Sequence, residues 1–197
     1  MTGTAAGAQV LTILPVTISL PARQQAGIVT LVNSGQTDVS IQVRAFAWTQ
    51  SADGSDRLES TDALAVSPPL ATIPAGRKQI VRLVLRQPAQ ATEASYRILV
   101  DQIPGPAQGN EIRVALRSSL PVFVEPHASA APRLRFGAEM TGGALYVFAV
   151  NDGKRHENIQ NLTLRTAGGT SFSPTAGISP YILPGATRRW LVANAAV

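Results

Sequence analysis

Several stretches of the chain alternate with a period of two: Ile28, Thr30 and Val32; Val39, Ile41 and Val43; and Ile80, Arg82 and Val84 beside Val81, Leu83 and Leu85. Such a period sends successive side chains to opposite faces of an extended backbone, so these stretches predict strands. Sixteen Gly and fourteen Pro interrupt the chain every few residues, and no window of a dozen residues keeps a 3.6-residue apolar stripe without one, which argues against helices. Turn-forming clusters separate the strands at Asn33-Ser34-Gly35, Ala52-Asp53-Gly54-Ser55, Pro74-Ala75-Gly76, Pro104-Gly105-Pro106 and Asn151-Asp152-Gly153. Short strands at these intervals predict stacked antiparallel sheets and an all-β fold.

An internal echo sets the domain count at two. Val32-Asn33-Ser34-Gly35 followed by Val39-Ser40-Ile41-Gln42-Val43-Arg44 resembles Val150-Asn151-Asp152-Gly153 followed by Asn161-Leu162-Thr163-Leu164-Arg165. Ile73-Pro74-Ala75-Gly76 with Val81-Arg82-Leu83 likewise resembles Leu183-Pro184-Gly185 with Arg189-Trp190-Leu191. Two tandem sandwiches follow, with the proline-rich Glu125-Pro126-His127-Ala128-Ser129-Ala130-Ala131-Pro132 as a stiff connection. The expected domains are 1–125 and 126–197, the second incomplete because it has too little chain after Pro184 for its last two strands.

Composition narrows the chemistry. With 45% hydrophobic and 15% charged residues, the 197-residue chain has ample material for a core. Its net charge of +5 comes from singly scattered arginines, not from a basic block that would grip a phosphate backbone, so no nucleic-acid partner is expected. The absence of cysteine excludes disulfides, thiolate metal sites and cysteine nucleophiles. No stretch reaches the roughly 20 apolar residues that span a bilayer, so no membrane insertion is expected. Residues 1–20 lack a basic start and carry Pro15 inside the apolar part, so any leader is expected to have been removed or to lie outside this chain.

One stretch stands apart. From Ile112 to Val124 the alternation is unbroken, with Ile112, Val114, Leu116, Ser118, Leu120, Val122 and Val124 on one face and Arg113, Ala115, Arg117, Ser119, Pro121 and Phe123 on the other. Thirteen residues is about twice the usual strand length. A sandwich of about 100 residues can cover half of it, so the Ile112–Leu116 end is expected to project as an apolar edge, a liability unless a partner covers it; the alternative is a long core strand that continues into the connection.

These residues carry a family resemblance. The series Leu14-Pro15-Val16-Thr17-Ile18, Asn33-Ser34-Gly35, Ala47-Trp48, Ser67-Pro68-Pro69, Ile73-Pro74-Ala75-Gly76, Val81-Arg82-Leu83, Glu93 with Tyr96-Arg97, Ile103-Pro104 and Ser119-Leu120-Pro121-Val122-Phe123-Val124-Glu125-Pro126 resembles, in that order, the periplasmic PapD-like chaperones of chaperone–usher pilus assembly. Tyr96-Arg97 and Leu120-Pro121-Val122-Phe123 are most similar to the archaic branch, whose subunits are related to spore-coat-U-type pilins. The resemblance implies a boomerang of two immunoglobulin-like domains in the periplasm. Such a chaperone lends an edge strand to unfinished pilin subunits and delivers them to an outer-membrane usher, without a cofactor. Ile112, Val114 and Leu116 fall on the family's donor positions. Three such side chains, each worth roughly 1.5–3 kcal/mol when buried, supply on the order of 5–9 kcal/mol before ordering costs, while main-chain bonds add an interaction blind to subunit sequence. Arg113 and Arg117 on the opposite face would keep the free edge soluble, and that same edge could support self-association.

The family pattern breaks in three places. The Arg and Lys that hold a subunit's terminal carboxylate in better-known relatives align with Thr17 and Pro121 here, neither of which carries a charge. Arg97, on the strand next to the donor, is the replacement candidate, its alternative being a surface arginine paired with Glu93 or Asp101. Glu125 stands where the family has a hinge arginine, so an ion pair there would need another arrangement, with Arg133 or Arg135.

Enzymatic activity is not expected. His127 and His156 have no neighbours that would make a nucleophile or metal site, and both read as surface residues. Asp53-Gly54-Ser55-Asp56 lacks the bidentate Glu of a calcium loop and reads as a turn. The competing reading is a structural or adhesive tandem immunoglobulin-like surface protein, itself a pilus component, in which the same alternation would close a core.

Overall fold

The computed structural model describes residues 11–51, 53–105, 115–160, 162–165, 168–169, 171–172 and 180–192. Among them there is no helix. The strands are β1 (Leu11–Leu14), β2 (Ile18–Leu20), β3 (Ala26–Asn33), β4 (Val39–Gln50), β5 (Asp56–Ser60), β6 (Leu64–Ser67), β7 (Leu70–Ile73), β8 (Lys78–Leu85), β9 (Ala94–Ile103), β10 (Arg117–Val124), β11 (Leu134–Thr141), β12 (Ala144–Asn151), β13 (Glu157–Asn158), β14 (Leu164–Arg165), β15 (Ser171–Phe172), β16 (Tyr181–Ile182) and β17 (Thr187–Leu191). One compact unit comprises Met1–Ala47, Glu59–Pro88 and Ser95–Val124; the other comprises Trp48–Leu58, Ala89–Ala94 and Glu125–Val197.

In the first unit a four-stranded sheet, β1-β3-β8-β6, faces a larger one ordered β2-β10-β9-β4-β5, with β7 also on β4. Pairing is antiparallel except between β10 and β2, which run parallel with Val122 beside Ile18. Val29 and Leu31 of β3, Val81 and Leu83 of β8, Ile41 and Val43 of β4, Ile98 and Val100 of β9 and Val122 of β10 are all but inaccessible to water. At roughly 1.5–3 kcal/mol for each such side chain, this shared interior holds the sheets together.

β3 buries the face opposite Ile28, Thr30 and Val32. Ile28, Thr30 and Val32 alternate convincingly, yet Ile28 is 55% exposed while Val29, Leu31 and Asn33 are buried. Both faces of this strand are apolar enough to serve, and Asn33 decides between them. Its side-chain amide donates to the carbonyls of Ile73 (2.9 Å) and Thr37 (2.8 Å), while its Oδ1 accepts from Gly35 N (3.0 Å). A polar group sealed from water needs such partners, so parity follows the asparagine.

The second unit repeats this device. Asn151 donates to the carbonyls of Ile182 (3.0 Å) and Arg155 (2.7 Å) and accepts from Gly153 N (2.9 Å) and Arg133 N (3.1 Å). The equivalence matches Ile73 with Ile182 and glycine with glycine: Gly76 and Gly185 both take positive φ, 68° and 75°, as C-β-free residues do most cheaply. The two prolines that first suggest the echo, Pro74 and Pro184, are therefore one position out of step. Around this motif β11-β12-β17 form one sheet, while β13 pairs with β16 and β14 with β15. Gly137 of β11 lies opposite Phe148 of β12, whose ring covers the space a Cβ would need.

The distal end of β4 belongs to this unit. Trp48 is buried and stands edge-on to Tyr181 at 5.6 Å. The Gln50 amide donates to Tyr181 O (2.9 Å) and accepts from Leu183 N (3.0 Å). Arg188 donates to Gly54 O (2.8 Å). In the neighbouring turn, Asp53 Oδ1 accepts from Ser51 Oγ (2.5 Å) and Ser55 N (3.0 Å), and these bonds, with Ser51 first, lower the Asp53 carboxyl to about 2. Its oxygens serve the turn. β5, which follows, is exposed along its whole length and carries Asp56, Arg57 and Glu59, charges that discourage foreign strands from pairing with a free edge.

Candidate functional site

β10 is described over the eight residues Arg117–Val124. Its neighbour β9 ends at Ile103, and the hydrogen bond from Gln102 N to Leu116 O, 2.9 Å, lies at the front of the described pairing. Ile112, Arg113 and Val114 lie outside the described residues. Leu116 is described and is 52% exposed, whereas Leu120, Val122 and Val124 on the same face are at most 4% exposed. The apolar face of the ribbon thus passes out of the sandwich between Leu120 and Leu116.

Arg117 forms one arm of a three-strand clasp. Its Nε donates to Asp101 Oδ1, while Arg44 Nη2 of β4 donates to Asp101 Oδ2 at 2.7 Å. Arg44 also lies over the Phe46 ring, 5.5 Å from its centroid. Partial burial opposes the charge on Asp101, but the hydrogen bonds and positive charge of Arg117 and Arg44 outweigh it and hold the carboxyl below the usual range. Gln42, Arg44, Asp101, Gln102, Ala115, Leu116 and Arg117 line an open depression of about 350 Å³ here. Sequence reasoning found Arg117 but not Arg44, which is far from both partners in the chain.

Arg97 is half-buried on β9 opposite Phe46 of β4. Continuing the antiparallel register from the Gln102–Leu116 bond sets Arg97 across from Pro121 on the β10 side. Thr17 is exposed just before β2. Pro121 is buried within β10, a position where its missing N–H is turned away from β9.

A second charged cluster lies in the other unit. The Glu93 side chain is fully buried; Oε1 accepts from His156 N (2.9 Å) and sits 2.7 Å from His156 Nδ1, and Oε2 is 3.6 Å from Arg155 Nε. His156 is accordingly a largely enclosed residue, not a surface one, because it supplies a partner to a sealed carboxylate; His127 is exposed. Glu125 pairs with Arg155 at 3.1 Å in place of the expected Arg133 or Arg135, and Arg135 is taken up by Asp152. The hydrogen bonds and charge of Arg135 hold the Asp152 carboxyl low. Among the described residues no group of three or more His, Cys, Asp or Glu could hold a metal ion, and no helix is long and apolar enough to cross a membrane.

The sequence model for the N-terminal domain of PapD, a pili and flagellar-assembly chaperone, matches residues 10–130. A chain of the CsuC–CsuE chaperone–tip adhesion subunit pre-assembly complex from archaic chaperone–usher Csu pili of Acinetobacter baumannii is 24% identical, with TM-score 0.75 over 95% of this chain and 89% of that one. A chain of the Salmonella enterica SafA pilin–SafB chaperone complex is 17% identical, with TM-score 0.70 over 96% and 87%. The Pseudomonas aeruginosa CupB2 chaperone is 14% identical, with TM-score 0.62 over 91% and 87%. No curated protein matches the sequence significantly.

Proposed function

Starting from the fact that the chain belongs to the PapD-type family of pili and flagellar-assembly chaperones, all-β proteins of two immunoglobulin-like domains, we propose that it binds pilus subunits in the periplasm by donor-strand complementation and passes them to an outer-membrane usher. The observation that carries this reading is the exposure of Leu116 on a face whose rear members are buried. A closed sandwich would cover it. Ile112, Val114 and Leu116 would enter alternate pockets of a subunit that lacks a strand, while main-chain groups zip alongside.

Arg97 is the residue we assign to the subunit's terminal carboxylate. It lies across from Pro121, the position at which better-known relatives carry a lysine, and a guanidinium can meet a carboxylate with two parallel bonds. Arg113 and Arg117 would flank the donor face, Arg117 being drawn to Asp101. The subunits are expected to be of the spore-coat-U-like type. A free donor edge also gives a second copy of the chain something to pair with.

The test is co-expression with a small β-rich secreted protein encoded beside this gene. The wild type should yield a soluble one-to-one complex and protect the subunit from degradation. Polar replacement of Ile112, Val114 and Leu116 together should abolish the complex with the thermal midpoint of the free chaperone nearly unchanged. Unfolding of that variant would show that the three side chains belong to a closed core and would end the proposal.

A further inference from the structure

We infer that the Arg44–Asp101–Arg117 clasp is a register lock: it fixes which residues of the ribbon leave the sandwich, and so which side chain is offered at each position beyond it. The inference rests on the donor-strand reading for its purpose, but its structural claim stands on the free protein.

The need for a lock follows from the rear of β10. Leu120, Pro121, Val122, Phe123 and Val124 are all buried, so both faces of this half are apolar. Register is strongly specified when one face is apolar and the other polar, and weakly when the faces are alike. Burial of this half alone therefore says little about which face turns inward.

Two features restore the distinction. Pro121 rejects a slip of one residue, which would turn its missing N–H toward β9 and forfeit a ladder bond. A slip of two escapes this objection: parity is kept and the proline stays out of the β9 ladder. It would move the ribbon by about 6.8 Å along its neighbour, enough to put each apolar side chain in the next one's place.

The clasp opposes that slip. Asp101 uses one oxygen for each guanidinium, Oδ1 for Arg117 on β10 and Oδ2 for Arg44 on β4, so it ties the ribbon to the centre of the sheet. In the observed register Asp101 and Arg117 are directly opposed, as the Gln102–Leu116 bond beside them requires. After a two-residue slip Arg117 would face Leu99 or Ile103, and the Asp101 carboxylate would face Ser119 or Ala115. Exposed ion pairs contribute little to overall stability, but here the pair adds to the burial of Leu120 in setting the observed register apart from its two-residue neighbours. Arg44 is itself steadied by Phe46, so the anchor end of the clasp is held from two sides.

The chain has no cysteine, which permits a direct test on the free protein. Leu99→Cys with Ser119→Cys places thiols on directly opposed positions of β9 and β10 in the observed register, close enough to bridge. With Arg117 and Asp101 intact this pair should oxidise efficiently. Adding Asp101→Asn, or separately Arg117→Ala, should lower the yield several-fold while the thermal midpoint moves little; Asp101→Glu should restore part of it. A yield that does not respond to either substitution overturns the lock. The donor-strand reading is tested apart from it: Leu116→Asp that leaves a subunit complex intact would count against that reading and would not touch the cross-link.

Discussion

Replacing Asn33 by alanine removes three hydrogen bonds from a side chain that is 0% exposed: two donated, to Ile73 O and Thr37 O, and one accepted, from Gly35 N. Each is worth about 0.5–1.5 kcal/mol net, and the buried Ile73 carbonyl left without its partner adds a desolvation cost of about 1–3 kcal/mol. Because water can reach the Thr37 and Gly35 groups, the expected loss is about 3 kcal/mol. Asn33→Asp should be worse despite its near-identical shape. It keeps the acceptor but turns the two donated bonds into contacts between a carboxylate and two carbonyl oxygens. Urea unfolding of the wild type and both variants at pH 7, compared by midpoint with m checked for constancy, reads the effect. A loss below about 1 kcal/mol for Asn33→Ala, or an aspartate variant as stable as the alanine one, would refute the claim that this amide fixes the turn and the parity of β3.

Asn151→Ala should cost more than Asn33→Ala in its own unit's unfolding transition, since Asn151 also receives a bond from Arg133 N; equal or reversed effects, read by hydrogen exchange in each unit, would count against the equivalence. Gly137→Ala should destabilise by about 1–3 kcal/mol because the Phe148 ring occupies the Cβ space, and Phe148→Leu should relieve part of that; thermal melts of the single and double variants decide. The Asp101 carboxyl is held low, so its contribution is fully present above the ordinary carboxylate range and disappears as pH falls through the depressed value. Stability curves of wild type and Asp101→Asn should accordingly show a small gap at neutral pH that closes in strong acid, and a gap independent of pH would contradict the assignment.

The strands were legible in the sequence because period-two alternation survives the absence of any partner information. Their inner faces were legible only where the two faces differ. β8 carries Lys78 and Arg82 on one side against Val81, Leu83 and Leu85 on the other, and its buried face follows the pattern. β3 has apolar residues on both sides, and the buried asparagine that chooses between them reveals its role only when Ile73, forty residues on, is beside it. The same holds at the site. Leu116 could be found from alternation along one strand, whereas Asp101 draws its meaning from Arg44, 57 residues away. His156 reads as a surface residue in the sequence because its reason for being enclosed, Glu93, lies 63 residues earlier.

The paired asparagine turns also bear on chemical ageing. Conversion of asparagine to aspartate proceeds when the following backbone nitrogen swings in to attack the side-chain carbonyl carbon. At Asn33 and Asn151 the amide is gripped on both its oxygen and its nitrogen, so that swing would first have to break the turn. Two sites where a spontaneous change to aspartate would break a buried turn are thus held back from undergoing it.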